Sequence, residues 1–123
     1  MSKTILHLDD EAAIRELLAE LLVGLGYRVR SVASPGEALA VARAETIDLI
    51  ISDLQLDEAD GLETIAQLRE MHATTPVILL TGVLISPKVA RETVGRLVSA
   101  YIEKTKPLSH IVAEITRLIG PAQ

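Results

Sequence analysis

Five side chains with chemically useful groups each follow a short apolar run of this chain. They are the carboxylates of Asp9, Asp10 and Asp53, the hydroxyl of Thr81 and the ammonium group of Lys104. In an open parallel sheet all strands point the same way, so the residues that end the strands share one rim, where ligands bind. The pattern therefore predicts one pocket whose groups suit a divalent cation and a phosphoryl group.

The three carboxylates explain why a metal ion is expected. Carboxylates held close together repel one another, and partial burial raises the cost of ionisation. A hard cation such as Mg²⁺ relieves the repulsion, since it binds a few carboxylates, several waters and phosphate oxygens. Asp9 and Asp10 could instead merely favour the first turn of a following helix, but Asp53 at the end of the predicted neighbouring strand favours the metal site.

Asp53 is the candidate nucleophile of the set. It follows the apolar segment DLIIS, so its carboxylate is anchored by a strand with its head at the rim. A carboxylate can attack phosphorus and form an aspartyl phosphate, a transfer that needs mainly positioning and charge neutralisation. Thr81 could donate its hydroxyl to one phosphoryl oxygen and Lys104 could pair with another. Taken singly, such residues are usually a cap and a solvated lysine, so only the joint arrangement is specific.

The rest of the chain alternates apolar runs with helical patterns, which is typical of βαβ units around a parallel sheet. The predicted strands are Thr4–Leu8, Arg28–Val32, Asp48–Ser52, Val77–Leu80 and Ala100–Glu103. The second of them alternates charge with Val and is interpreted as an edge strand. The fold class predicted is α/β, a doubly wound five-stranded sheet in the order 2-1-3-4-5 with helices on both faces.

Helix starts and stops can be predicted between these strands. The first helix carries an apolar stripe from Ile14 to Leu22 and ends near Gly24, and a capping box at Ser34 opens the second. The three later helices are expected to start at Asp60-Gly61, Ser86-Pro87 and Ser109. His7 lies inside the first strand, where we expect a packed, hydrogen-bonded side chain rather than a metal ligand.

Composition limits the classes of partner. The chain has 123 residues, 49% of them hydrophobic, which predicts a single domain over residues 1–123 with one core. A net charge of −5, only two Tyr, and no Phe or Trp argue against nucleic acid and anionic membranes as partners. There is no Cys, no signal-peptide core and no apolar stretch of about 20 residues, so we expect a soluble, cytoplasmic protein.

The segments ILHLDDE, DLIISDLQLDEADGLE, PVILLTG and AYIEK resemble the receiver domains of two-component response regulators, and the likeness spans nearly the whole chain. The length is similar to that of the single-domain, chemotaxis-type members. The resemblance implies a flavodoxin-like fold, with Asp53 as the phosphoacceptor. It implies Mg²⁺ bound directly by Asp10 and Asp53 and by the backbone carbonyl of Gln55, with Asp9 acting mainly through water.

The same resemblance implies roles for the remaining site residues. Thr81 and Lys104 would bind the phosphoryl oxygens, and Thr81 and Tyr101 would form the switch. Gln55 and Val83 flank the site and could set the rate of phosphoryl hydrolysis. The family's Lys-Pro dipeptide occurs here as Lys106-Pro107, yet Lys104 has the family interval to Tyr101. We favour Lys104, because two more residues of strand would carry the ammonium group past the rim.

The resemblance also implies the partners. A sensor histidine kinase or a phosphotransfer protein would donate the phosphoryl group, and the signal would pass to a downstream protein, because the tail GPAQ is expected to leave no room for an output domain. The surface formed by the fourth predicted helix, fifth strand and last helix would change state and could form a homodimer. Activity beyond self-phosphorylation and slow self-dephosphorylation is not expected, so the protein would not be an enzyme in the ordinary sense.

Three other functions fit parts of this pattern less well. The chain could be an interaction module that keeps the fold without the chemistry, which is favoured by Asp57 in place of the family's Pro and by the irregular EKTKPL segment. A flavodoxin needs a hydroxyl-rich phosphate loop after the first strand, whereas LDDEAA is acidic. A haloacid-dehalogenase-type hydrolase would have Asp-x-Asp there rather than Asp-Asp.

Overall fold

The computed structural model of this chain describes residues 2–53, 61–82, 88, 91–92 and 96–122. Its five strands form one parallel sheet in the order β2-β1-β3-β4-β5, which confirms the predicted fold class. The strands are β1 (Thr4–Leu8), β2 (Arg28–Val32), β3 (Leu49–Ser52), β4 (Val77–Thr81) and β5 (Ala100–Glu103). The helices are α1 (Ala12–Gly24), α2 (Pro35–Ala44), α3 (Gly61–Met71) and the C-terminal helix (Leu108–Ile119).

Alternation along the strands divides the core into two layers, because successive side chains of a strand point to opposite faces. On one face, Ile5 and Ile51 pack with Leu18 of α1 and Ile115 of the C-terminal helix. On the other face, the strands pack against α2 and α3 through residues that include Ala38 and Leu68. The predicted helices on both faces are therefore present, and β1, β3 and β4 are buried along their whole length.

The helix boundaries follow local chemistry. Ser34 caps α2 by accepting a hydrogen bond from the Glu37 N–H at 3.3 Å, with Pro35 at the first helical position, as the capping box predicted. Helix α1 ends at Gly24, and Gly26 follows with a φ of 103°, a conformation that favours glycine.

The start of the C-terminal helix differs from the prediction. Its N-cap is Pro107, and the helix begins at Leu108, so Ser109 is already inside the first turn. The reason is backbone geometry: Pro107 is extended, with a ψ of 148°, and its carbonyl accepts a hydrogen bond from the His110 N–H at 3.0 Å. The start predicted at Ser86-Pro87 lies outside the described residues. Within the described ranges, no helix is both long enough and apolar enough to cross a membrane.

Candidate functional site

Backbone hydrogen bonds hold the site residues at the carboxyl ends of the strands. The N–H groups of Asp9, Asp53 and Lys104 each donate to a carbonyl of the neighbouring strand, over 3.1, 3.1 and 2.8 Å. Each of the three residues directly follows its strand, so the ladder of the sheet extends one residue beyond the regular elements. The polar residues are thereby positioned by the hydrogen-bonded sheet.

The pleat of the sheet brings these three side chains to one face. Ile5, Ile51 and Ile102 all belong to the core layer beneath α1 and the C-terminal helix. Asp9 lies four residues after Ile5, whereas Asp53 and Lys104 each lie two residues after their isoleucine. Because strand side chains alternate with a period of two, the two carboxylates and the ammonium group point the same way.

Lys104 is the centre of the site. Its Nζ donates hydrogen bonds to Asp53 Oδ2 at 2.8 Å and to Glu11 Oε1 at 2.7 Å. The same atom forms an ion pair with Asp9 Oδ2 at 2.9 Å. An ammonium group has three protons, and three carboxylates surround it here. The cation therefore neutralises part of the charge that the acidic residues bring together.

The acidic residues form a cluster suited to a hard metal ion. One carboxylate oxygen from each of Asp9, Asp10, Glu11 and Asp53 lies within 4.8 Å of all the others. Asp9 and Asp53 are 0% and 5% exposed, respectively, so the inner part of the cluster is desolvated. Carboxylate oxygens are the ligands that Mg²⁺ prefers, and the donor set therefore fits such an ion.

The electrostatics of the site combine desolvation with close opposite charges. Burial alone would lower the pKa of Lys104, but the hydrogen bonds to Asp53 and Glu11 and the Asp9 ion pair raise it above its ordinary value. Burial raises the pKa of Asp9, and this effect is partly offset by the Glu11 N–H and by Lys104. These contacts therefore favour the charged form of Lys104, whereas burial disfavours the charged form of Asp9.

Asp9 is held from both sides. Its Oδ1 accepts a hydrogen bond from the Glu11 N–H at 2.9 Å, which connects the strand to the start of α1. Its backbone carbonyl accepts a hydrogen bond from Arg15 Nη1 at 2.6 Å. Asp9 Oδ2 pairs with Lys104 Nζ at 2.9 Å. One oxygen of this carboxylate is therefore held by a backbone N–H and the other by the ammonium group.

His7 lies directly below Asp9 on the same face of β1. Its side chain is fully buried, as expected, but neither ring nitrogen has a hydrogen-bond partner among the described residues, so the expected hydrogen bond is not found there. Its Nε2 is 3.9 Å from Asp9 Oδ2. Burial, with Lys104 and Arg15 nearby, lowers the pKa of His7 to about 4. The ring is thus neutral at pH 7.

The other predicted site residues are placed as follows. Thr81 is fully buried and ends β4, between the strands that position Asp53 and Lys104. Tyr101 lies half-buried on β5 and packs against the core layer beneath α2 and α3. Lys106 is exposed in the turn after β5, so Lys104 rather than Lys106 contacts the carboxylates. Gln55, Asp57 and Val83 lie outside the described residues.

Two contacts of the site were not anticipated. Glu11 shares Lys104 with the aspartates, and Arg15 holds the Asp9 backbone. The run of three acidic residues Asp9-Asp10-Glu11 was a visible signal for the first. A basic residue about one helical turn into α1 was a weaker signal for the second.

The comparisons with known proteins agree with this geometry. A family model described as the response regulator receiver domain matches residues 5–116. The transcriptional regulatory protein GlrR of Escherichia coli (strain K12) is 39% identical over 78 residues, which are 63% of this chain and 18% of GlrR. The chain thus spans only about a fifth of the length of that relative.

Solved structures show the same fold. The chemotaxis protein CheY4 of Vibrio cholerae is 27% identical with a TM-score of 0.88, and the match covers 96% of this chain and 99% of CheY4. The response regulator TrrA of Thermotoga maritima, solved in complex with Mg²⁺-BeF, is 28% identical with a TM-score of 0.82, covering 94% of this chain and 98% of TrrA. The predicted resemblance is confirmed, and this chain belongs to the receiver domain family of two-component response regulators.

Proposed function

We propose that this receiver domain accepts a phosphoryl group on Asp53 from a sensor histidine kinase or a phosphotransfer protein, with Mg²⁺ as cofactor. The observation that carries the proposal is the Asp53 carboxylate, anchored at the end of β3 with its Oδ2 at 2.8 Å from Lys104 Nζ. A nucleophile, a cation for the phosphoryl group and an acidic cluster for a metal ion stand at one edge of the sheet.

The proposed transfer needs few groups from the protein. A carboxylate oxygen of Asp53 forms a bond to phosphorus while the bond from phosphorus to the donor's histidine nitrogen breaks, and that nitrogen keeps the electron pair. Lys104 would pair with one phosphoryl oxygen, and the Thr81 hydroxyl would donate a hydrogen bond to another. Such transfers depend on positioning and on charge neutralisation.

The residues that would hold the metal ion are Asp10 and Asp53, with the backbone carbonyl of Gln55, while Asp9 would act mainly through water. The ion would supply positive charge to a site in which carboxylates and phosphoryl oxygens otherwise repel one another. Support comes from the clustered carboxylates of this chain and from the related TrrA, whose structure contains Mg²⁺-BeF. Lys104 would then exchange part of its carboxylate contacts for a phosphoryl oxygen.

The output of the domain is part of the same proposal. Phosphorylation would draw Thr81 toward the phosphoryl group and turn Tyr101 inward, which would bias the face around β5 between two states. A downstream protein, a relay partner or a second copy of the chain would bind that face, to which Tyr101 and Lys106 would contribute. Val89 and Thr93, also expected there, lie outside the described residues. The single-domain organisation over residues 1–123, the cytoplasmic location, and the absence of nucleic-acid and membrane binding stay predictions.

The test is phosphorylation by a small donor. Purified protein is incubated with phosphoramidate and MgCl₂, and the intact mass is measured. We expect the wild type to gain one PO₃H unit and Asp53→Asn to gain none. Asp48→Asn is the matched control, because Asp48 stands just before β3, at the opposite end of the same strand, and should leave incorporation unchanged. Equal incorporation into the wild type and Asp53→Asn would refute the proposal.

A second candidate is an interaction module that keeps the fold without phosphoryl chemistry. It is favoured by the Lys104 ammonium, which already contacts three carboxylates and could exclude a metal ion. A Mg²⁺ titration followed by NMR discriminates the two. A receiver with chemistry should respond in the millimolar range and lose that response in Asp10→Asn and Asp53→Asn, whereas the module should show no such response.

A further inference from the structure

We propose that His7 is a positioning residue of the acidic site. Its Nε2–H donates a hydrogen bond to Asp9 Oδ2 when the Lys104 ammonium moves away from that oxygen. The inference rests on the proposed function, because Lys104 is expected to move toward a phosphoryl group. In this proposal His7 touches neither the metal ion nor the phosphoryl group and acts only through Asp9.

The geometry points to Asp9 as the partner of His7. The His7 side chain is fully buried, and both of its ring nitrogens lack a hydrogen bond among the described residues. The nearest carboxylate oxygen of the acidic site, Asp9 Oδ2, is 3.9 Å from Nε2, about 1 Å beyond hydrogen-bonding distance. That oxygen is at present held by the Lys104 ammonium at 2.9 Å. A buried histidine ring without a hydrogen bond among the described residues therefore faces the carboxylate oxygen that the Lys104 ammonium now holds.

The remaining contacts of Asp9 explain how the gap could close. Its Oδ1 is held by the Glu11 N–H at 2.9 Å, so the carboxylate can pivot about that oxygen. In the described state the ion pair with Lys104 Nζ, at 2.9 Å, competes for Oδ2. Once Lys104 turns to a phosphoryl oxygen, Oδ2 would lose its direct contact with the ammonium group, and the histidine ring already lies beside it.

The chemistry of a buried imidazole supports a functional reason for this residue. A neutral ring has one N–H and one lone pair, and leaving either unpaired away from water costs stability. An apolar side chain would avoid that cost, as Ile5 and Ile51 do on the same face. A donor behind a carboxylate of a metal site keeps it oriented, here toward the water through which Asp9 would act, and loss of such outer partners commonly weakens metal affinity about tenfold or more.

Two substitutions test the proposal. His7→Leu fills the site without a donor, and His7→Gln keeps an N–H near the position of Nε2. We expect His7→Leu to unfold at the same or a higher urea concentration than the wild type, yet to bind Mg²⁺ in the presence of beryllium fluoride about tenfold more weakly. His7→Gln should recover most of that affinity. A residue with only a packing role would lose stability and leave the affinity unchanged.

The matched control is Ile51→Leu, a buried conservative change at the position paired with His7 across β1 and β3. It can alter the stability but should not alter Mg²⁺ affinity. A second readout is the imidazole ¹⁵N spectrum of the wild type. We expect the Nε2–H tautomer, with an Nε2 signal that moves when Mg²⁺ and beryllium fluoride are added together.

The outcomes separate this inference from the proposed function. If the wild type binds Mg²⁺ and beryllium fluoride and His7→Leu binds them equally well, the role of His7 is refuted while the phosphoacceptor proposal stands. An Nδ1–H tautomer that does not respond to the ligands would refute it as well. If the wild type shows no binding, both proposals fail together.

Discussion

At the amino ends of the strands, polar side chains are paired with backbone groups, whereas at the carboxyl ends charged side chains are crowded against one another. At the amino end, the Thr4 N–H donates to Asp48 Oδ2 at 2.7 Å. The Tyr27 hydroxyl donates to the Gly120 carbonyl at 2.9 Å, and Lys3 Nζ donates to the Pro121 carbonyl at 3.1 Å. The last two contacts hold the C-terminal segment against residues at the amino end of the sheet.

At the carboxyl end, the negative charges of the described residues exceed the positive charge beside them. The carboxylates of Asp9, Asp10, Glu11 and Asp53 form one cluster, and Lys104 contacts three of them, those of Asp9, Glu11 and Asp53. The buried His7 ring is left without a hydrogen bond within the described residues. The difference teaches that the amino end pairs its polar groups internally, whereas the carboxyl end holds an excess of negative charge that the proposed metal ion would offset. Each prediction below tests one part of this contrast.

The largest effect is expected from removing the cation of the carboxyl end. Lys104→Met should lower the free energy of unfolding by about 3 kcal/mol, because it leaves buried carboxylates without their partner. Saturating Mg²⁺ should restore more stability to this variant than it adds to the wild type, since the metal ion and the ammonium neutralise the same charges. Urea unfolding with and without MgCl₂ measures both quantities.

The matched control for that experiment is Lys106→Met. Lys106 is exposed in the following turn, so its removal should change the free energy of unfolding by no more than about 0.5 kcal/mol. If Mg²⁺ stabilises the wild type more than it stabilises Lys104→Met, the ammonium group and the metal ion do not neutralise the same charges. The proposed difference between the two ends of the sheet would then be wrong.

A smaller effect is expected at the amino end. Asp48→Ala leaves the Thr4 N–H without its acceptor and should cost about 1–2 kcal/mol in the free energy of unfolding. Asp48→Asn keeps an acceptor oxygen and should cost less. Because this end is not expected to bind the cation, the loss should be the same with and without MgCl₂ in chemical denaturation. A loss that Mg²⁺ reverses would show that the two ends are not independent.

The smallest effect concerns pH at the amino end. Burial raises the pKa of Tyr27 above its ordinary value of 10.0, so above pH 10 the unfolded chain releases this proton before the folded protein does. The stabilisation is complete below pH 10 and is lost as the pH rises through the folded-state pKa. Tyr101 shifts in the same direction, so Tyr27→Phe should remove part of the decline. The free energy of unfolding is measured from pH 9 to pH 11 for both proteins. An equal decline with pH in the wild type and in Tyr27→Phe would contradict this.

Much of the fold could be predicted because periodic burial leaves a direct trace in the sequence. The predicted bounds of β1, β2 and β5 agree with the structure, and those of β3 and β4 differ by one residue. The capping box at Ser34 was readable because its hydrogen bonds span only three residues. The start of the C-terminal helix was misplaced because Pro107 is an N-cap by backbone conformation alone, without a side-chain hydrogen bond.

The site was predicted in outline and not in its contacts. The gathering of Asp9, Asp53, Thr81 and Lys104 at one edge follows from strand direction and order, which apolar runs and their spacing indicate. The triple contact of Lys104, and the lack of a hydrogen bond to the His7 ring among the described residues, depend on rotamers and on distances between strands that are far apart in the chain. Those distances are set by how the two core layers pack.

The order of residues was enough to assign the sheet, its carboxyl rim and the family, because periodicity and motif spacing are local properties. Only the folded chain decided that Lys104, and not Lys106, contacts the carboxylates, since the turn after β5 directs one lysine inward and leaves the other exposed. Only the folded chain placed His7 Nε2 at 3.9 Å from Asp9 Oδ2, with no hydrogen bond to that nitrogen in the part of the chain that the structure describes. Charged groups and hydrogen-bond donors from separate segments interact only at short distances, and the packing of the core sets those distances.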